Sequence, residues 1–300
     1  NSHSVDPSIS ADGRYVAFHS DATNLVPGDS NVRTDVFVHD RQTGQTSRVS
    51  VDSAGVQGNG SSHTPSISAD GRHVAFVSNA KNLVPGDTND RDDVFVQDRM
   101  TGQTRRVSVD SASVQGNGFS NAPSISVDGR YVAFSSSASN LVPGDTNVWP
   151  DIFVHDRQTG QTNRVSVGSA GVQSNQRSVA ASISADGRYV AFHSVATNLV
   201  PGDTNGEADV FVHDRQTGQT SRVSVDAAGT QGNGYSASPS ISADGRYVAF
   251  DSWATNLVPG DTNLWSDVFV HDRGSIGPTL AWLGTCPGAI TLTISNASPG

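Results

Sequence analysis

One stretch, Pro65-Ser-Ile-Ser-Ala-Asp-Gly-Arg-His-Val-Ala-Phe76, recurs throughout the chain at a constant interval. Ser-Ile-Ser begins at Ser8, Ser66, Ser124, Ser182 and Ser240, a 58-residue period with no insertion or deletion. Each copy continues through Asn82-Leu-Val-Pro-Gly-Asp87, or its equivalent, to Asp93-Val-Phe-Val-Gln-Asp98. A fixed period of this size restricts the chain to arrays in which each repeat is one supersecondary unit and neighbouring units cover each other's apolar faces.

Within one period the pattern predicts four short strands. Pro65 to Ser68 is the first, ended by the turn Ala69-Asp-Gly-Arg72, where Gly71 supplies a positive φ at little steric cost. His73 to Ser78 is the second, followed by a long loop from Asn79 to Asp92. Asp93 to Gln97 forms the third, a turn around Thr101 to Gln103 follows, and Arg105 to Val109 forms the fourth. Short strands bounded by Gly, Pro, Asn and Asp are an all-β signal.

Strands two and three are apolar on both faces, as expected of strands sandwiched between neighbouring sheets. Strand four alternates Arg106, Val107, Ser108, Val109, as expected of an outer strand wet on one side. Ten of the eleven Phe occupy two repeat positions: Phe18, Phe76, Phe134, Phe192, Phe250 and Phe37, Phe95, Phe153, Phe211, Phe269. These are core residues packing one sheet on the next. A four-stranded sheet repeated every ~40 to 60 residues is the period of a β-propeller, and five copies predict five blades, closed on themselves.

The run Ser-Ala-Asp-Gly-Arg-Tyr-Val-Ala-Phe, then Asp-Val-Phe-Val-His-Asp, then a Thr-Gly turn and Arg-Val-Ser, resembles the TolB-like, WD40-like (PD40) propeller repeat. The resemblance covers residues 1 to about 273 and implies the fold; it carries over no catalytic residue. Two departures stand out. The proline of the family's Ser-Pro-Asp-Gly turn is Ala11, Ala69, Val127, Ala185 or Ala243 here, and the connection between strands two and three is expanded.

The frame divides the chain into a propeller over 1–273 and a remainder over 274–300. The outer strand of the last blade is expected either from 279–284, where Thr279 to Gly284 stand in register with Ser221 to Asp226, or from residues upstream. The remainder reads as a linker and the opening strands, Cys286 to Ser295, of a truncated immunoglobulin-like module. Asn1 aligns with Asn59, Asn117, Asn175 and Asn233 in the inter-repeat loop, so a processed or excised segment is expected, with its targeting information upstream. Cys286 is the only cysteine; a disulfide partner elsewhere and a free buried thiol are both open.

The net charge of −10 comes almost wholly from Asp, with one Glu and one Lys. That balance argues against nucleic acid, whose binders carry a basic face, and leaves cations and neutral partners. No apolar run approaches the ~20 residues of a membrane span, so membrane insertion is not expected.

The expanded loop presents Asp-Xaa-Asn-Xaa-Xaa-Xaa-Asp in every repeat: Asp29, Asn31, Asp35; Asp87, Asn89, Asp93; Asp145, Asn147, Asp151; Asp203, Asn205, Asp209; Asp261, Asn263, Asp267. Oxygen donors at alternate loop positions suit calcium, which takes six to eight of them, and Gly202 to Asp209 looks most like a calcium loop. Five dications would also offset the −10 charge. The alternative is structural: Val-Pro-Gly-Asp as a type II turn, with Asp and Asn capping local backbone amides.

His39, His155, His213 and His271 share one strand position, replaced by Gln97 in repeat two. One per blade, they are too dispersed to converge, and packing or surface roles are expected for them as for His19 and His193. Because the polar residues barely differ between repeats, no asymmetric catalytic constellation is visible, and a non-enzyme is expected.

What varies is the loop tip. Trp149 and Trp265 stand where other repeats have Arg33, Arg91 and Glu207, and Trp253 stands where others have Asp21, Asn79, Ser137 and Val195. Such Trp can serve as a platform for sugar rings or protein, or can pack over a neighbouring loop. The sequence thus predicts a secreted or cell-surface binding or scaffolding propeller, calcium-stabilised, with a glycan or protein at its loop face. Two alternatives stay open: a lectin with pockets between blades floored by Gln57 and Asn59, and a self-assembling subunit forming homo-oligomers or filaments.

Overall fold

A computed structural model describes residues 2–274 and 279–282, the side chains of the last four excepted. Its strands form five separate four-stranded antiparallel sheets, each in simple sequence order. Blade one holds β1 (Ser4–Ile9), β2 (Tyr15–Ser20), β3 (Asp35–Asp40) and β4 (Gln45–Arg48). Blade two holds β5 (Ser62–Ile67), β6 (His73–Ser78), β7 (Asp93–Asp98) and β8 (Thr104–Arg106). Blade three holds β9 (Ser120–Ile125), β10 (Tyr131–Ser136), β11 (Asp151–Asp156) and β12 (Gln161–Arg164). Blade four holds β13 (Ser178–Ile183), β14 (Tyr189–Ser194), β15 (Asp209–Asp214) and β16 (Gln219–Arg222). Blade five holds β17 (Ser236–Ile241), β18 (Tyr247–Ser252), β19 (Asp267–Asp272) and β20 (Thr279–Trp282). The fold is a five-bladed, all-β propeller.

Successive first strands touch one another, β1 with β5, β5 with β9, β9 with β13 and β13 with β17, so they line the inside of the array. Each starts three residues earlier than the sequence pattern suggests. A bulge explains this: Asp6, Thr64, Ala122, Ala180 and Ser238 take φ of 46° to 56°, re-aiming the strand before pairing resumes. The outer strand is shorter than expected, because after Arg106 the chain leaves the regular ladder: the Val107 amide bonds Val94 C=O and Val109 bridges to Gln115. In blade five the outer strand is β20, with Ala281 opposite Val270, where blade four has Ser221 opposite Val212. Its register therefore lies two residues later than a strict 58-residue extension gives: Asp272 pairs with Thr279 where Asp214 pairs with Gln219. Leu283, Cys286 and the remainder to 300 lie outside the described residues.

The turn residues repeat because they tie each blade together. In blade two the Ser68 hydroxyl donates to Asp70 at 2.6 Å, and the Arg72 amide donates to the same oxygen at 2.9 Å. The Arg72 guanidinium reaches both oxygens of Asp98 at 2.9 and 2.7 Å, locking the turn to the end of β7. That bidentate contact holds the Asp98 carboxyl well below the usual carboxylate range.

The apolar core lies between blades, one cluster per seam. At the first seam Ala17, Val36, Val38 and Val49 meet Ile67, Val74, Phe76, Leu83 and Phe95 of blade two. The three later seams repeat this arrangement. Polar contacts repeat with it: the Ala11 amide bonds Ala69 C=O at 3.0 Å, Ala69 bonds Val127, Val127 bonds Ala185 and Ala185 bonds Ala243. The Ile67 amide likewise donates to the Ser8 hydroxyl at 3.1 Å, with counterparts at the other three seams.

The expected closure is where the structure departs from the sequence reading. Among the described residues, none of these seam bonds has a counterpart joining blade five to blade one. Nine of the ten repeated Phe are fully buried, but Phe18 is not, because among the described residues no sheet packs on that face of blade one. Ile9 is 58% exposed where Ile67 is 7% exposed, and Val268 is 46% exposed where Val36 is fully covered.

Candidate functional site

The long loops and inter-repeat loops lie on the same side of each blade, and their Asp and Asn residues meet there in a fixed network. In blade one the Gln57 amide donates to Asp29 at 2.8 Å and to Asp35 at 3.0 Å. Arg48 sits between the same two carboxylates at 3.3 Å from each, and the Ser50 hydroxyl donates to the other Asp35 oxygen at 2.6 Å. The Asn31 side chain donates to Gly58 C=O and accepts from the Arg33 amide. The sequence calcium reading thus meets carboxylates that already face a guanidinium and an amide.

Blades two to four repeat the network. Arg106 bridges Asp87 and Asp93, Arg164 bridges Asp145 and Asp151, and Arg222 bridges Asp203 and Asp209. Gln115, Gln173 and Gln231 play the part of Gln57. Asn89, Asn147 and Asn205 each donate to the facing inter-repeat backbone. Burial pushes the Asp93, Asp145 and Asp209 carboxyls upward. Blade five differs. Asn263 still donates to Asp267 at 3.1 Å, but the second Asp267 oxygen is buried without a hydrogen-bond partner, and Asp261 accepts from the Asn263 amide.

Asn59 is also built into the scaffold. Its amide donates to Asn82 and its side-chain oxygen accepts from the Lys81 amide, stitching the inter-repeat loop to the next long loop. Gln57 and Asn59 are both engaged in hydrogen bonds within the protein. A cavity of about 430 Å³ does lie between blades two and three, bordered by Val84, Arg106, Gln115, His155 and Arg157.

The strand histidines are structural groups. His155 Nδ1 lies 2.9 Å from the Thr162 hydroxyl, which donates its own proton to Val109 C=O at 2.6 Å. A hydroxyl has one proton to give, so His155 must donate from Nδ1 and is a neutral Nδ1–H tautomer. Burial pushes His155 down to about 4, consistent with that form. His39 and His213 make the same contact with Thr46 and Thr220.

The tryptophans are placed differently. Trp149, Trp253 and Trp265 are 45%, 49% and 68% exposed. Trp149 stands apart in blade three, whereas Trp253 and Trp265 come together in blade five with ring centroids 6.4 Å apart and planes tilted 44°. Two loops produce this pair: Trp253 follows directly on β18, its amide bonded to Tyr235 C=O, and Trp265 sits at the long-loop tip held by Asn263. Leu264, 76% exposed at φ 60°, extends the apolar surface.

A second variable region escaped the sequence reading. The inner strands differ between blades at their first residues, Val5-Asp6, His63-Thr64, Asn121-Ala122, Val179-Ala180 and Ala237-Ser238, and so does the facing position His19, Val77, Ser135, His193 or Asp251. This brings His19 to 3.7 Å from Asp6 and 6.3 Å, ring to ring, from His63. His193, pushed down to about 4 by burial, lies edge-on to Tyr235. The signal was present as variation within an otherwise repeated strand. Among the described residues, no group of three or more His, Cys, Asp or Glu is placed to hold a metal ion.

Comparison with solved structures returns propellers. The chain matches TolB from Acinetobacter baumannii with a TM-score of 0.53 and 18% identity, over 93% of this chain and 54% of that one. It matches a TolB described as putative from Agrobacterium tumefaciens at 0.54 and 16% identity, over 94% and 82%. It matches the β-propeller domain of the Trilobed protease from Pyrococcus furiosus at 0.56 and 10% identity, over 91% and 70%. The chain thus spans about half the length of the first of these. The fold is TolB-like. Other matched structures include peptidases and an oligogalacturonate lyase. A scan of protein-family models finds no match, and a search of curated proteins finds none.

Proposed function

We propose that the chain is a non-enzymatic binding propeller that presents its long-loop face to a carbohydrate, with Trp253 and Trp265 as the stacking platform. The observation that carries this reading is the exposed Trp pair, placed by two different loops on a blade whose repeated Phe250 and Phe269 are buried without it. Aromatic rings held edge by edge offer flat apolar surface to the CH faces of a pyranose, while flanking backbone groups serve its hydroxyls. The polar residues that do repeat are engaged inside the blades, which supports binding over catalysis.

In this reading the Asp and Asn loops of blades one to four are latches held by an Arg ion pair and Gln hydrogen bonds, and calcium is not needed to hold them. Blade five, with its unpartnered Asp267 oxygen, is the blade whose loop leaves a donor for calcium. A rigid Asp-rich scaffold with a sugar platform also fits display outside the cell.

The test is a glycan array followed by titration calorimetry on any hit, with Trp253→Ala and Trp265→Ala variants. The expected result is binding lost by at least tenfold in each variant, with the unfolding midpoint unchanged. Binding that survives both substitutions, or no binding to any glycan class, would reject the reading.

A further inference from the structure

We propose that the two open ends of the array are docking faces for a further blade built from this same 58-residue repeat. At each seam one blade contributes a face made of the counterparts of Ala17, Val36, Val38 and Val49. The next contributes the counterparts of Ile9, Phe18 and Leu25. Among the described residues, each end of the array carries one of these faces uncovered. On blade one Ile9 is 58% exposed, and Val16, Phe18 and Leu25 are partly open. On blade five Val268 is 46% exposed, while its counterparts Val36, Val94, Ile152 and Val210 are all fully buried.

The polar groups point to the same occupant. At the four seams a Ser hydroxyl accepts from the Ile amide of the following blade; the hydroxyl of Ser240 and the amide of Ile9 make no such bond. The Ala243 amide and Ala11 C=O are the two ends of the backbone chain that runs turn to turn across the seams. Arg99, Arg215 and Arg273 each stack over the Tyr of the preceding blade at 4.3 to 4.5 Å. Tyr247, 40% exposed, lies only under Arg246 of its own blade among the described residues.

A blade of this repeat offers the missing partner to each end. It would bring an Arg for Tyr247 and an Ile for Val268, and on its other face a Ser hydroxyl for Ile9. Whole copies stacked head to tail would always leave two ends open, which is the geometry of fibres rather than of a closed array.

The experiment places a second copy of 59–116 directly before Asn1, which keeps the frame because Asn1 stands where Asn117 stands. Unfolding midpoint and sedimentation are then compared with the original chain. The expected result is a monomer whose midpoint rises by at least about 5 °C, given roughly 1–2 °C per kcal/mol at this size. Ile9→Asp should leave the original chain unchanged within about 1 °C, since the residue is open there, and should abolish the rise in the extended chain. A synthetic peptide of 59–116 added to the intact chain gives a readout independent of the extended chain's folding: hydrogen exchange at the β1 amides should slow. No slowing, an unchanged midpoint, or a tight dimer of the original chain burying Ile9 would overturn the proposal.

Discussion

Arg106→Met tests whether the loop network is held by the guanidinium. Arg106 is 7% exposed and lies 3.4 and 3.5 Å from Asp87 and Asp93, whose side chains are 3% and 0% exposed. Removing one partner of a buried ion pair costs about 3–5 kcal/mol, mostly because the other charge is left buried and unpaired. The contacts here are longer than the ~2.7–2.9 Å of strong charge-assisted hydrogen bonds, and Gln115 and Ser108 still donate to the carboxylates, so the lower figure of about 3 applies. At roughly 1.6 °C per kcal/mol for a chain of this length, the midpoint should fall by about 5 °C in calorimetry at pH 7. The pH dependence carries a sign. Burial already raises the Asp93 carboxyl above its ordinary 3.8, and loss of Arg106 raises it further. A carboxyl with a raised folded-state value stabilises the fold below its ordinary value, and that contribution is lost as pH rises through the folded value. The deficit of the variant should therefore shrink as the pH is lowered from neutral toward the ordinary carboxylate value of 3.8. Calcium should recover part of it in the variant and have little effect on blades one to four of the parent. A loss below about 1 kcal/mol, or a parent stabilised by calcium as strongly as the variant, would refute the latch.

Three further outcomes follow from the same geometry. Gly71→Ala would place a Cβ 2.1 Å from the Tyr15 ring at φ +70°, whereas Gly86→Ala at φ +76° meets nothing within 4 Å; urea titration should show about 3 kcal/mol or more for the first and about 1 for the second. His155→Gln copies what blade two already has at Gln97. Because burial holds His155 at about 4, its contribution is present above the ordinary 6.5 and lost as pH falls from there, so the variant should lose less stability between pH 7 and pH 5 than the parent. Val195→Trp with Glu207→Trp transplants the blade-five pair onto blade four, and calorimetry with a bound glycan should then report two sites; a single site would show that the Trp pair alone does not define the platform.

The blades were legible because each local device depends on residues close in sequence. The Ser68, Asp70 and Gly71 turn, the apolar runs of β6 and β7 and the repeated Phe all follow from one period. The first strand was misjudged because its bulge rests on non-glycine residues at positive φ, such as Thr64, which no propensity announces. The calcium motif was readable as a pattern of oxygens, but Arg48 and Gln57 lie 13 and 22 residues beyond Asp35, on another strand and another loop. Only the fold brings those donors to the carboxylates. Closure was beyond the sequence for a related reason: identical seams fix the rotation between blades, and five such rotations need not complete a circle.

That last point bears on function. An array of near-identical repeats spends its repeated residues on seams and turns, so a site with one orientation has to come from the exceptions. The exceptions here gather in two places, the Trp253 and Trp265 tips of blade five and the inner-strand residues around His19, His63 and His193. Both open toward the face that carries the long loops, since strand two ends where that loop begins. Blade five is also an end of the array, so a blade docked against Val268 and Tyr247 would stand beside the Trp pair. Ligand recognition and completion of the ring would then be read on neighbouring surfaces of the same blade.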